Sequence, residues 1–181
     1  MKKGGVGGGN TITGLNFEGR ADILTLLASL PGYKVEKATV GHSIFFENEL
    51  VANSYKKHSF YKFLKSQGID WEQVISRQLL PDDAIYVVKD NTVYIIELKY
   101  QEGEGSVDEK LQTSAFKKQQ YQKLLAPLNR EVEYIYVLND WFRHPKYKDV
   151  LDYVISVDCH YYFEYLPLHK IGLPVPDKPQ K

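Results

Sequence analysis

Four residues near the middle of the chain carry the side chains that metal-assisted hydrolysis of a phosphodiester uses. They are Asp82, Asp83, Glu97 and Lys99, within the stretch LPDDAIYVVKDNTVYIIELK at residues 80–99. Carboxylates are hard oxygen ligands of the kind that Mg²⁺ accepts, because Mg²⁺ keeps several waters and takes only one or two carboxylates plus phosphate oxygens. A lysine beside them can hold or deprotonate a water that attacks phosphorus.

Two short apolar runs are expected to position these residues. Residues 84–88 and 92–98 are rich in Val, Ile and Tyr and flank a polar segment, which predicts a β-hairpin. Because side chains alternate along a strand, Glu97 and Lys99 share one face, and antiparallel pairing brings residues 81–83 back beside them. The alternative is that Glu97 and Lys99 form a solvated ion pair on an exposed face.

The pattern Pro81-Asp82, followed by Glu97-Leu98-Lys99 at the end of an apolar run, resembles the PD-(D/E)-x-K nuclease superfamily. The fold of that superfamily is the fold of type II restriction endonucleases, and the resemblance covers residues 14–138 in the order of their elements. It implies Asp82 and Glu97 as ligands of Mg²⁺ and Lys99 as the catalytic lysine. Asp83 is as well placed in the sequence as Asp82, which is preferred because it directly follows the proline.

A further acidic candidate precedes the hairpin. Apolar residues recur at helical spacing over residues 17–28, which predicts a helix that ends at Pro31-Gly32. Glu18 and Asp22 are four residues apart and would share one face of that helix. They could be solvated acids favoured by the helix dipole. Many nucleases of the resembled superfamily place a first-helix glutamate at the metal site, which would add Glu18 to the catalytic residues.

Lysines on two predicted helices are candidates for binding nucleic acid. Residues 53–67 form a predicted helix on which lysines, among them Lys57, are interleaved with tyrosines. Such a face can follow a phosphate backbone and stack bases, or it can simply be solvated.

The second of these helices is predicted over residues 106–126, opened by a capping box at Ser106. Lys118 falls inside its apolar stripe, so its ammonium must either extend to solvent or reach the active site or the scissile phosphate. Some superfamily members carry Q-x-x-x-Y on this helix. Here Lys117 stands at that spacing before Tyr121, so the role of the glutamine is not carried over, and Lys117 stays a candidate for nucleic-acid binding.

The order of elements predicts the fold class. The apolar run 132–138 suits a buried strand beside the hairpin, and the helix before it would make a β-α-β crossover. A helix at about 145–155 and a strand at 159–163 follow. The expectation is an α/β fold with a restriction-endonuclease-like core, α-β-β-β-α-β, in which helices flank a mixed central β-sheet.

Length and composition set the remaining expectations. With 181 residues, 43% of them hydrophobic, the chain is expected to form one domain over 1–181, with a flexible glycine-rich arm at 1–9 and a loose tail at 174–181. A single cysteine excludes an intrachain disulfide, and no run approaches the roughly 18 apolar residues of a membrane span. A cytoplasmic protein without membrane contact is expected. Because 23 basic residues balance 23 acidic ones, a polynucleotide must meet a local basic surface.

Two classes of function are compatible with these features. The first is a Mg²⁺-dependent endonuclease acting on double-stranded DNA, most simply a type II restriction enzyme that leaves 5′-phosphate and 3′-hydroxyl ends as the resembled family does. A DNA repair nuclease or junction resolvase is the rival within that class. The second class is a non-catalytic nucleic-acid-binding domain on the same fold. Cutting both strands of a palindromic site is simplest for a twofold dimer, so a homodimer is expected.

Overall fold

The centre of the protein is a β-sheet with helices packed on both faces. The computed structural model describes residues 12–103 and 107–177. In chain order, its elements are β1 (Gly14–Asn16), α1 (Ile23–Ala28), β2 (Tyr33–Lys37), β3 (His42–Phe46), β4 (Glu49–Ser54), α2 (His58–Ser66), β5 (Asp83–Val87), β6 (Thr92–Lys99), α3 (Val107–Leu111), α4 (Ser114–Leu125), β7 (Glu131–Leu138), α5 (Lys148–Ser156), β8 (His160–Phe163) and β9 (Tyr165–Pro167).

The strands β2 to β8 form the central sheet in the same order as they follow one another in the chain. Neighbours from β2 to β6 are antiparallel, whereas β6 with β7 and β7 with β8 are parallel. Parallel neighbours need a crossover connection, and helices supply it here. The prediction of an α/β fold with a mixed central sheet flanked by helices is therefore confirmed.

Alternation of side chains along the strands separates two apolar cores. Ala84 and Ile95 point to the face that is covered by α2, α4 and α5. Ile85 and Ile96 point to the opposite face, which α1, β1 and β9 cover. The same alternation sends adjacent acidic residues at the strand ends to different faces of the sheet.

The hairpin and the buried strand after it form where the sequence predicted them. In the hairpin, β5 pairs with β6 from Asp83 opposite Ile96 to Val87 opposite Thr92. β7 lies parallel to β6 along its whole length. Both predictions rested on short apolar runs, whose strand periodicity is a local property of the sequence.

The prediction of one helix over residues 17–28 is wrong in its first half. The chain first forms β1, which pairs with β9 about 150 residues later, Gly14 lying opposite Pro167. Arg20 then has φ +53°, a left-handed conformation that a helix cannot pass through. α1 begins only at Ile23, where the carboxylate of Asp22 caps it by accepting the Leu24 N–H at 2.9 Å. Glu18 therefore lies before α1 and not on it.

Two other predicted helices also have different bounds. Residues 53 and 54 belong to β4, and α2 begins at His58. The long helix predicted to follow the hairpin is divided into α3 and α4 at Thr113, whose hydroxyl donates to the Lys110 carbonyl at 2.7 Å. Such a bond from a side chain to the backbone competes with continuation of a helix. The capping box at Ser106 lies outside the described residues.

The glycine-rich arm lies outside the described residues, as do residues 178–181. The tail predicted to be loose is anchored at its start, because the Tyr33 hydroxyl donates to the Pro174 carbonyl at 2.5 Å. Among the described residues, no helix has both the length and the apolar character that crossing a bilayer demands.

Candidate active site

The hairpin places Asp82 and Glu97 next to each other at one end of the sheet. Because Asp83 pairs with Ile96, continuing the register by one residue sets Asp82 opposite Glu97. The Asp82 carboxylate accepts the backbone N–H of Leu98, with Oδ2 3.0 Å from the nitrogen. The strand backbone thus fixes the direction of this carboxylate toward the end of β6.

Two lysines complete what we call the Glu97 cluster, formed by Asp82, Glu97, Lys99 and Lys117. The Nζ atom of Lys99 lies 2.7 Å from Glu97 Oε2 and 3.9 Å from Asp82 Oδ2. From α4, Lys117 brings its Nζ to 3.6 Å from the same Glu97 oxygen. Glu97 itself is 6% exposed and forms the floor of the cluster. The structure therefore brings together the three residues that the sequence pattern singled out and adds Lys117 to them.

Asp83 faces away from this cluster, into the core on the other face of the sheet. Its Oδ1 accepts the Ser54 hydroxyl at 2.7 Å, while Oδ2 has no hydrogen-bond partner and lies 3.8 Å from the Lys56 ammonium, beyond hydrogen-bonding distance. Burial raises the pKa of Asp83 to about 6, although the bond from Ser54 and the charge of Lys56 act against it. Of the two adjacent aspartates, Asp82 is thus the one that meets Glu97 and Lys99.

Glu18, the first-helix candidate, is not brought to the Glu97 cluster. It is exposed, its backbone N–H donates to the Asn16 side chain at 2.9 Å, and no ion pair joins it to a described lysine. The acid at the start of α1 is instead Asp22, whose Oδ1 lies 2.7 Å from Lys56 Nζ. Partial burial favours the neutral acid, but hydrogen bonds from Lys56 and Thr25 outweigh it and lower the pKa of Asp22 to about 2.

Lys118 does not reach the Glu97 cluster, although one of its two predicted roles would place it there. Its side chain is buried, with Nζ 2.6 Å from the Asp158 carboxylate and 3.7 Å from Glu133 Oε2. The ammonium also donates to the backbone carbonyl of Asp158. Lys118 therefore ties α4 to the segment before β8. An apolar stripe in the sequence shows that a lysine faces the protein, but not which partner it meets there.

Lys57, in contrast, stays exposed where α2 begins. Its backbone N–H donates to the carbonyl of Pro81 at 2.9 Å, so the lysine is held beside the start of β5.

The acidic pair of the cluster suits a magnesium ion. Oδ2 of Asp82 and Oε2 of Glu97 already surround one cationic nitrogen, that of Lys99, at distances below 4 Å. Two carboxylates match the one or two that Mg²⁺ takes from a protein. Within residues 12–103 and 107–177, no group of three or more His, Cys, Asp or Glu side chains is arranged to hold a metal.

A cleft of about 470 Å³, which we call the Glu97 cleft, opens onto the cluster. Its walls come from α4 and from the segment before β5, and its lining is formed by residues 75–80, Glu97, Phe116, Lys117 and Gln120. Phe116 was not among the residues predicted for the site. The available signal was an aromatic residue outside the apolar stripe of its helix.

One wall of the Glu97 cleft is held in place through the backbone of Leu79. The Tyr61 hydroxyl accepts the Leu79 N–H at 2.7 Å, and the same hydroxyl oxygen lies 2.9 Å from the Leu79 carbonyl oxygen. The Tyr121 hydroxyl donates to that carbonyl at 3.2 Å. Burial raises the pKa of Tyr61 to about 12 and also raises the pKa of Tyr121, so both hydroxyls are neutral at pH 7. The wall is therefore clamped between α2 and α4.

A larger groove of about 700 Å³ lies on the other side of the same segment. Lys62 and Lys65 of α2 line it together with Trp71, and it shares Gln78 with the Glu97 cleft. None of the residues of the Glu97 cluster lines this groove, so its size does not make it the site of chemistry. Gln78 is the residue that the linings of the groove and the Glu97 cleft have in common.

Comparison of the chain with models of known protein families, with curated proteins and with solved structures finds no match.

Proposed function

We propose that the protein is a Mg²⁺-dependent endonuclease that hydrolyses phosphodiester bonds of double-stranded DNA. The observation that supports this most directly is the Glu97 cluster, in which Asp82, Glu97 and Lys99 meet at the end of a hairpin in a mixed sheet. The resemblance to the PD-(D/E)-x-K nucleases, and with it a restriction-endonuclease-like core, belongs to the same proposal.

The side chains of the cluster have distinct roles in this proposal. Asp82 and Glu97 hold the ion, and a bound Mg²⁺ would stabilise the negative charge that develops on the phosphate. Lys99, fixed between the two carboxylates, orients the attacking water and neutralises developing charge. Lys117 stands at the mouth of the cleft and contacts a phosphate of the substrate, with Lys57 gripping the backbone further out.

The burial of the Glu97 carboxylate argues for chemistry over a merely structural role. Glu97 is almost completely buried, and removing a carboxylate from water costs several kcal/mol unless its partners compensate. Apolar residues of similar volume would stabilise the sheet end at least as well. A binding domain without catalysis would have no need for two carboxylates where DNA phosphates must approach.

Two finer expectations form part of the proposal. The enzyme acts as a type II restriction enzyme, which cuts both strands of its site as a homodimer, and a repair nuclease or junction resolvase is the alternative within the class. The single cysteine, Cys159, is a free and buried thiol, which suits a reducing cytoplasm.

The test is incubation of the full chain with supercoiled plasmid DNA, with Mg²⁺ or with EDTA. Cleavage that requires Mg²⁺ and is lost in Glu97→Gln supports the proposal, and discrete fragments would indicate a restriction enzyme. Glu36→Gln, which alters an exposed acid on β2, is the matched control and should cleave normally. Binding of DNA without any cleavage in Mg²⁺ would overturn the enzymatic proposal in favour of a binding domain.

A further inference from the structure

Phe116 is an exposed aromatic residue beside ionisable groups that the proposed chemistry uses. It is 59% exposed, although it sits on α4 between residues that pack into the core. It lines the Glu97 cleft together with Lys117 and, one helical turn later, Gln120. Burying its ring would stabilise the protein, but the ring stays largely in contact with water.

The opposite wall of the Glu97 cleft is also apolar at its mouth. Leu80 is 41% exposed there, directly after Leu79, whose backbone is clamped by Tyr61 and Tyr121. The cleft is thus a slot with an aromatic ring on one side and, on the other, a fixed wall in which Leu79 and Leu80 stand beside the polar residues Ser76, Arg77 and Gln78. Its volume of about 470 Å³ lies within the range of pockets that enclose small organic molecules, about 300–1,000 Å³.

The charges around the slot favour a phosphate-bearing occupant. Arg77 is exposed at its rim and has no ion pair within the part of the chain that the structure describes. Gln78 also lines the larger groove, where Lys62 and Lys65 are likewise without an acidic partner among the described residues. Asp70 and Glu72 also line that groove and bring two negative charges to it, and Asp70 caps a turn by accepting the Glu72 N–H. Unpaired cations along a groove that contains aromatic rings are typical of surfaces that bind single-stranded nucleic acid.

We propose that the Glu97 cleft takes one unpaired nucleotide of the DNA strand beside the scissile phosphate, with its base stacked on Phe116. A base inside a duplex is already stacked on both sides, so it must leave the helix before an aromatic side chain can cover it. The amides of Gln78 and Gln120 both line the slot and can donate to and accept from the edge of the base. The inference rests on the proposed nuclease function for the identity of the phosphate. Because a paired base must first leave the double-stranded substrate, DNA in which that one nucleotide is already unpaired should bind more tightly.

The test compares two DNA duplexes of the same sequence, one fully paired and one with a single unpaired nucleotide in the centre. Binding is measured by fluorescence anisotropy with Ca²⁺ in place of Mg²⁺, so that it does not depend on cleavage. Wild type should bind the duplex with the unpaired nucleotide more tightly. Phe116→Ala should weaken that binding by about 5- to 100-fold, the scale of one lost base stack, while Phe116→Trp keeps it. Binding of the fully paired duplex should change little in either variant.

Ile155→Ala is the matched control, since Ile155 is also an exposed apolar residue on a helix but lies on α5. It should leave the binding of both duplexes unchanged. Equal affinity of wild type for the two duplexes would overturn the inference, as would equal weakening of both by Phe116→Ala. If Phe116→Ala changes the sedimentation of the protein but not its DNA binding, the ring contacts a second copy of the chain. That result would also overturn the inference.

Failure of the inference and failure of the nuclease proposal give different results. If plasmid cleavage depends on Mg²⁺ and Glu97 while Phe116→Ala binds both duplexes like wild type, the nuclease proposal is supported. The binding of an unpaired nucleotide in the Glu97 cleft is then refuted. If tighter binding of the duplex with the unpaired nucleotide depends on Phe116 but no cleavage occurs in Mg²⁺, the binding of an unpaired nucleotide in the cleft is supported. The nuclease proposal is then refuted.

Discussion

Substitution of Lys99 is the most direct test of whether the Glu97 cluster catalyses a reaction, because it removes the ammonium that contacts both carboxylates. Its Nζ lies 2.7 Å and 3.9 Å from the two carboxylates that would hold the ion. A unit charge at about 4 Å contributes about 4 kcal/mol at an effective dielectric constant of about 20. If about two-thirds of a unit charge develops on the phosphate, the lost stabilisation is about 2.7 kcal/mol, which corresponds to about 100-fold in rate.

We therefore expect Lys99→Ala to lower the rate of single-turnover cleavage at saturating DNA by about 10² or more. Affinity for DNA should change far less. Lys99→Arg should be severely impaired as well. A guanidinium keeps the charge, but its larger planar group does not fit the space of an ammonium that is 17% exposed and so cannot orient the attacking water in the same way. Quenched-flow measurements on gel-resolved products give the rates.

Two other lysines on α4 make the comparison specific. Lys117→Ala should weaken DNA binding and reduce the salt dependence of the binding constant by about one, as loss of one phosphate contact does. Lys123→Ala, an exposed lysine on the last turn of α4, should change neither rate nor affinity. Near-normal single-turnover cleavage by Lys99→Arg would remove Lys99 from catalysis and would refute the nuclease reading of the Glu-Leu-Lys segment.

Three further results are expected. Asp82→Ala should abolish Mg²⁺-dependent cleavage in the plasmid assay while DNA binding in Ca²⁺ persists, whereas Asp83→Asn should still cleave; the reverse result would mean that Asp83 is the ligand. Because burial raises the pKa of Asp83 from 3.8 to about 6, the folded protein binds this proton more tightly than the unfolded chain, and its unfolding free energy should fall by about 3 kcal/mol as pH rises from about 4 through 6. Urea denaturation across that range should show the fall in wild type and not in Asp83→Asn, and parallel curves for the two proteins would contradict it. Lys118→Met should lower the unfolding free energy by about 2 kcal/mol, the scale of a lost bond between charged groups, because the contacts of Lys118 with Asp158 disappear. Its cleavage rate per folded molecule should equal that of wild type, and a large loss of rate with unchanged stability would return Lys118 to the active site.

The local pattern of the sequence was sufficient to predict the hairpin and what it carries. Strand periodicity depends on residues one and two positions apart, so the bounds of β5 and β6 could be predicted to within a residue or two. From those bounds, alternation alone put Glu97 and Lys99 on one face and returned Asp82 to their side. The parallel strand β7 was predictable for the same reason, since its apolar run is continuous.

The partners of individual side chains were decided only by the tertiary structure. Glu18 does not lie on the predicted helix, because residues 14–16 pair with β9 instead. No local pattern in the sequence predicts that pairing. Helical spacing turned Lys118 toward the protein, but its ammonium meets Asp158, some 40 positions away in the chain. Phe116 became part of a cleft because residues 75–80 pack opposite α4. Each of these outcomes depends on contacts between segments far apart in sequence, whereas periodicity records only which way a side chain points from its own element.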